Sequence, residues 1–146
     1  MTSRTFRRAT IGEILALRHA MLRAGFPIES ARFDGDDDPR TRHFAALDRG
    51  AVVGCASFMR ADYDGRPAWQ LRGMAVAQAL QRQGIGTRLL AVAEAVCCDQ
   101  PTLWSDARIA AVAFYERHGW RTVSDTFDIP TVGPHRRMVK REPDSG

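Results

Sequence analysis

The stretch Gln81-Arg82-Gln83-Gly84-Ile85-Gly86-Thr87-Arg88-Leu89-Leu90 decides how the rest of the chain is read. Gly84 and Gly86 flank one apolar residue, and Ile85, Leu89, Leu90, Ala93, Val96 and Cys97 then recur at helical spacing. The pattern predicts a loop that becomes a helix over about 84–98, broken by Pro101. Glycines let a ligand approach the backbone closely. The first amides of a helix lack internal partners and carry the positive end of its dipole. Such a place suits an anion, phosphate or pyrophosphate above all. Arg82 and Arg88 add positive charge. The plainer alternative is a tight strand-to-helix turn that holds nothing.

The flanking chain narrows the choice. Upstream, two apolar runs, 42–47 and 51–60, surround Asp48-Arg49-Gly50 and read as an antiparallel hairpin. After the turn "ADYDGRP", the run 68–76 reads as a third strand of that meander. A dinucleotide fingerprint needs a third glycine where Leu89 stands, and normally opens the first strand–helix unit of a parallel sheet. A P-loop needs Gly-Lys-Ser/Thr, and the single lysine is Lys140. Neither fits. Downstream, "TLWSDA" reads as a buried strand and "RIAAVAFYERHG" as a helix ended by Gly119. "WRTVSDTFDI" and "HRRMVK" read as two final strands, paired antiparallel. At the other end, "FRRA" at 6–9 is a short first strand. Thr10 with Glu13 forms a capping box for a helix whose stripe is Ile11, Ile14, Leu15, Arg18, Met21 and Leu22. The predicted order is strand, helix, three-strand meander, helix, strand, helix, two strands: an α+β fold.

Two motifs in this frame resemble the GNAT superfamily of acyl-CoA-dependent N-acetyltransferases. Gln81-Arg82-Gln83-Gly84-Ile85-Gly86 matches the family's Arg/Gln-x-x-Gly-x-Gly/Ala pyrophosphate loop. Met74-Ala75-Val76 matches the apolar end of the strand before it. Ala111, Phe114, Tyr115, Gly119 and Trp120 match the downstream A-x-x-F-Y-x-x-x-G-F/W pattern. "HFAALDRGAVVGCASFMR", "LRGMAV" and "GPHRRM" are similar to a group of small bacterial members with poorly defined substrates. The resemblance implies a single domain over 1–146 with a frayed tail at about 142–146. It implies a mixed, mainly antiparallel sheet flanked by helices and splayed at the cofactor site.

The same resemblance assigns roles. Pyrophosphate of acetyl-CoA, or of another short acyl-CoA, would lie on the amides from Arg82 to Thr87, with Gln81 opening the loop. Pantetheine would run beside Met74, Ala75 and Val76, where an N–H near Met74 polarises the thioester carbonyl. Tyr115 matches the family's general acid, and Phe114 is mainly packing beside the cofactor. Many relatives carry an Asn where Arg108 stands, so the usual Asn contact does not transfer; Arg108 reaches phosphates or simply opens the helix. Relatives often place Glu on the strand before the loop, whereas 70–73 here are Gln-Leu-Arg-Gly. That leaves His135, then His43, then water as the base, with His118 placed for support at a helix end. The implied reaction is direct attack of a small molecule's primary amine on the thioester. A protein or peptide amine, or a non-catalytic acyl-CoA-binding module, are the alternatives.

Composition sets limits around this. The 146 residues suit one domain with an adequate core. Apolar runs fall short of a membrane span, and the start lacks a secretory core, so a cytoplasmic enzyme is expected, with no membrane partner. Formal charge is +4, almost all from Arg, but the arginines are dispersed. Nucleic acid is therefore not an expected partner, while the modest positive field suits an anionic cofactor. A homodimer is possible. Cys55, Cys97 and Cys98 lack metal or disulfide spacing and read as small apolar filler; no metal is expected. The long loop 25–39 carries Asp36-Asp37-Asp38, read as a solvated turn rather than a cation or amine site. Arg18 is read as snorkelling from the edge of its stripe; the sharper alternative pairs it, buried, with a carboxylate from 36–38.

Overall fold

The structure is a computed structural model and describes residues 3–141. The expected frayed tail, 142–146, lies outside the described residues. The strands are β1 (Arg4–Ala9), β2 (Arg42–Asp48), β3 (Ala51–Arg60), β4 (Trp69–Val76), β5 (Thr102–Arg108), β6 (Arg121–Thr122), β7 (Phe127–Ile129) and β8 (Gly133–Arg141). The α-helices are α1 (Ile11–Leu22), α2 (Ile85–Val96) and α3 (Ile109–Arg117). The chain forms two compact units.

The first unit comprises the chain through Met59 together with Arg72–Cys98. Its strands follow the order β1-β2-β3-β4. β1–β2 and β2–β3 are antiparallel, with Arg4 opposite Asp48 and Ala45 opposite Cys55. β2 runs through Asp48, one residue beyond the expected strand, and leaves a two-residue hairpin turn in which Arg49 and Gly50 both have positive φ, 52° and 83°. The capping box on α1 forms as expected: Thr10 Oγ1 accepts from the Glu13 amide, and Glu13 accepts from the Thr10 amide at 2.9 Å. The apolar stripe of α1 seats Ile14 on Ala45 and Cys55. α2 and its cap bury Ile85, Leu89, Leu90, Ala93 and Cys97, as the periodicity expects, but the last helical position, Val96, is exposed.

The second unit comprises Arg60–Leu71 and the chain from Asp99 onward. Its order is β4-β5-β8-β6, with β7 also on β8. β4–β5 is parallel, Trp69 opposite Leu103 and Gln70 opposite Trp104; the β8 ladders are antiparallel. Its core places Ala68, Trp104 and Val139 together. One sequence expectation is corrected here. The run 120–129 is two short strands rather than one, β6 and β7, both on β8. Between them Ser124 Oγ accepts from the Arg137 amide at 2.8 Å, so a side chain replaces the ladder partner and interrupts the strand.

Candidate functional site

In the first unit, the loop after β4 is braced from within. The Ala77 amide donates to Val53 O at 2.8 Å, and Gln81 Nε2 donates to Val76 O at 3.0 Å. Arg4 Nη2 donates to Gln83 Oε1. Arg82 and Gly84 both lie in the left-handed region, φ 67° and 80°. At Gly84 an added Cβ would meet nothing within 4 Å, so the glycine faces open space. Gly84 is also the N-cap of α2 and offers no side-chain oxygen to its first amides. Residues 81–84, Thr87 and Arg88 are exposed, while Ile85 is buried and contributes its amide only. Arg88 lies over the Phe6 ring at 4.9 Å. An N-cap without a side chain, left-handed turns and open space at a helix start together fit a pyrophosphate. Gln81, with its side chain on Val76 O, stiffens the loop.

Met74, Ala75 and Val76 end β4 half-buried. Just before them Gly73 has φ +65°, inside a strand. An added Cβ there would lie 2.8 Å from Arg18 Nε and 3.0 Å from Phe33 Cε2. A glycine within a strand pattern is the signal that could have revealed this kink. Cys55 Sγ donates to Gly73 O at 3.4 Å, so Cys55 is more than filler. Burial raises its thiol from 9.0 to about 11 and keeps it protonated.

Arg18 does not snorkel; it is wholly buried. Its Nη1 and Nη2 reach Asp36 at 2.7 and 3.1 Å, and Nη1 also donates to Ala31 O at 2.9 Å. Nη2 donates to Ser57 Oγ at 2.8 Å. Ser57 Oγ, having accepted there, donates to His43 Nδ1 at 2.6 Å. His43 Nε2 then donates to Asp36 O at 3.0 Å. Both nitrogens of His43 are therefore committed, which argues against it as the base. The acidic run is corrected too. Asp36 is a buried counter-ion, while Asp37 stays exposed at the turn and Asp38 is held by Arg40 at 2.9 Å. Periodicity could not show that a carboxylate from a distant loop folds onto Arg18.

In the second unit, Arg108 is the N-cap of α3 and lies opposite His135 in the β5–β8 ladder. Tyr115 is 7% exposed, and burial pushes its hydroxyl above its ordinary value of 10.0, keeping it protonated. Its ring meets Phe114 edge-on at 5.3 Å and Trp120 at 5.5 Å. Phe114 also meets His118 at 4.7 Å, and His118 O accepts from Lys140 Nζ at 2.9 Å. Lys140 and His118 both close the C-terminal end of α3, as the helix dipole favours. His135 is 4% exposed and stacks on Phe127. Its Nδ1 donates to Gly133 O at 2.7 Å, so the neutral ring carries its lone pair on Nε2. Arg108, Phe114, Tyr115 and His135 thus share the second unit, while Met74–Val76 and the 81–87 loop share the first.

Comparison with known proteins gives the family and the fold. A family model described as an acetyltransferase (GNAT) domain matches residues 39–122. The uncharacterised N-acetyltransferase YitI of Bacillus subtilis (strain 168) is 27% identical over 136 residues, 90% of this chain and 91% of that protein. Escherichia coli ElaA superposes with a TM-score of 0.74 at 18% identity, over 97% of this chain and all of that one. An aminoglycoside 6'-N-acetyltransferase complexed with coenzyme A does so at 0.71 and 18%, over 96% and 99%. The two structures share the fold with this chain.

Proposed function

The chain belongs to the GNAT family of acetyltransferases, and from that premise we propose that it moves acetyl from acetyl-CoA to a primary amine of a small molecule by direct attack on the thioester. The observation that carries the reading is the α2 entrance: a left-handed Gly84 facing open space before helix amides to which the N-cap offers no side chain. In this reading the cofactor's pyrophosphate takes the amides from Arg82 to Thr87, and Met74–Val76 pairs with its amide-bearing arm as an added strand would. The thioester supplies the activated acyl group. The Met74 N–H stabilises the negative charge that develops on its oxygen.

An amine of the lysine type is mostly protonated at neutral pH and must lose a proton before it attacks. His135 Nε2 is the base we assign, since its tautomer leaves that lone pair available. Tyr115 is the acid for the departing sulfur, and its burial keeps the proton on oxygen until one is needed. A cytoplasmic location belongs to the same reading, because all three cysteines are free thiols, as reducing conditions favour. Among the described residues no helix is long and apolar enough to cross a membrane.

The test is a thiol-release screen with acetyl-CoA against simple amines, amino acids, polyamines, aminoglycosides and peptides. Release that depends on a small amine supports the reading. Release only with peptides transfers the acceptor to protein. Tight CoA binding without release across the panel makes the chain a binding module.

A further inference from the structure

The peptide bond between Gly73 and Met74 is held from two directions. Its oxygen accepts from the Cys55 thiol at 3.4 Å. The Gly73 Cα is covered by Arg18 Nε and the Phe33 ring, with no room for a Cβ. Arg18 itself is fixed by four further contacts: two to the Asp36 carboxylate, one to Ala31 O and one to Ser57 Oγ. Its Nε is buried and has no hydrogen-bond partner, so that edge serves as a packing surface against the glycine. Phe33 is drawn into the same arrangement. Its amide donates to Asp36 Oδ2 at 2.7 Å, and the Arg18 guanidinium lies 4.2 Å from its ring centre.

We propose that Cys55 and Arg18 are positioning residues for acyl transfer, clamping the left-handed turn at Gly73 so that the Met74 N–H is aimed at the thioester carbonyl. This rests on the assignment of that N–H made above. The geometry follows from the peptide itself. A trans peptide is planar, and its C=O and N–H point to opposite sides. Tying the oxygen to Cys55 therefore turns the Met74 N–H away from the thiol. A hydrogen bond to that oxygen also polarises the peptide and strengthens the N–H as a donor. Gly73 supplies the backbone conformation that puts this peptide out of regular strand alternation. Arg18 and Phe33 close the space into which the turn would otherwise relax.

The test reads the carbonyl directly. Acetyl-CoA labelled with carbon-13 at the thioester carbonyl is bound to the full chain, and its stretching frequency is followed by isotope-edited infrared difference spectroscopy. A carbonyl polarised by an N–H absorbs at lower frequency than the free one. In the wild type the downshift is expected. Cys55→Ala should lose most of it while acetyl-CoA still binds, and Cys55→Ser, which restores a donor, should recover part. Gly73→Ala, with its Cβ pressed on Arg18, should lose it as well; if that variant fails to fold, the two Cys55 variants carry the test. A variant that binds acetyl-CoA with the full wild-type downshift overturns the positioning role. A wild type that binds without any downshift overturns the Met74 assignment, and the clamp with it. A wild type that does not bind acetyl-CoA at all overturns the cofactor reading instead.

Discussion

Removing the carboxylate of Asp36 leaves the Arg18 guanidinium buried without a counter-charge. Both side chains are nearly inaccessible, at 0% and 3% exposure. A buried pair adds little net stability over a well-packed apolar pair, but breaking one costs roughly 3–5 kcal/mol. Asp36→Asn is therefore expected to lose that much, read as a lower urea midpoint, and Arg18→Met in the same chain should restore part of it. An unchanged midpoint would mean that water reaches Arg18. Glu13 behaves differently because it is exposed. The Arg7 hydrogen bond, then the Thr10 amide, lower its carboxyl from 4.5 to about 2. A depressed folded value stabilises above the unfolded one and fades as the carboxylate protonates. Its contribution is thus complete above pH 4.5 and is lost as the pH falls towards 2. Glu13→Gln should flatten the dependence of the melting temperature on pH across that interval; a curve parallel to wild type would show that Glu13 titrates alike in both states. For Tyr115, the expected result of Tyr115→Phe is a loss of turnover of roughly a hundredfold, the scale of a general acid. Acetyl-CoA should still protect that variant against heat, and full turnover at every pH would remove Tyr115 from the role.

At the scale of elements, the loop and helix α2 act as one device. Gly84 in the left-handed region costs a side chain about 1–2 kcal/mol of backbone strain, and bulk there also fills the open space before the helix. Replacing Gly84 and Gly86 with bulky residues should therefore abolish thermal protection by acetyl-CoA. A ligand at a hundred times its Kd stabilises by about 2.7 kcal/mol, a shift plain in a melting curve. Protection that survives the double change would move the pyrophosphate elsewhere. The local parts of the fold were legible in the sequence, because the start of α2 at Gly84, the period of Ile85, Leu89 and Leu90, and the capping box of α1 at Thr10 act over a few residues each. Contacts between distant segments were not. Arg18 on an apolar stripe looks the same whether it snorkels or meets Asp36, since nothing local encodes where the 25–39 loop folds. The single strand expected at 120–129 failed for a related reason: the Ser124 hydroxyl competes for the Arg137 amide across 13 residues. His43, second to His135 as a candidate base in the sequence, has both nitrogens occupied by Ser57 and Asp36 O.

For the whole molecule, the relevant quantity is the excess of positive charge, +4 with a pI near 9.5. It comes from arginines spread along the chain, so under the proposed reading it acts on an anionic cofactor as a field as well as through Arg82 and Arg88. These two actions separate kinetically. A general field speeds the encounter with an anionic cofactor and is removed by salt, as the Debye length falls from about 30 Å at 0.01 M to about 8 Å at 0.15 M. Close contacts in the bound state govern the rate of leaving and are much less screened. The association rate constant for CoA, followed by stopped flow, should thus fall several-fold across that range while the dissociation rate stays nearly constant. Arg82→Gln should reproduce only part of the loss, since it removes one charge from the many that build the field. If salt acts chiefly on dissociation, the local arginines of the loop carry the electrostatics. If it alters neither rate, the charge excess has no part in capturing the cofactor.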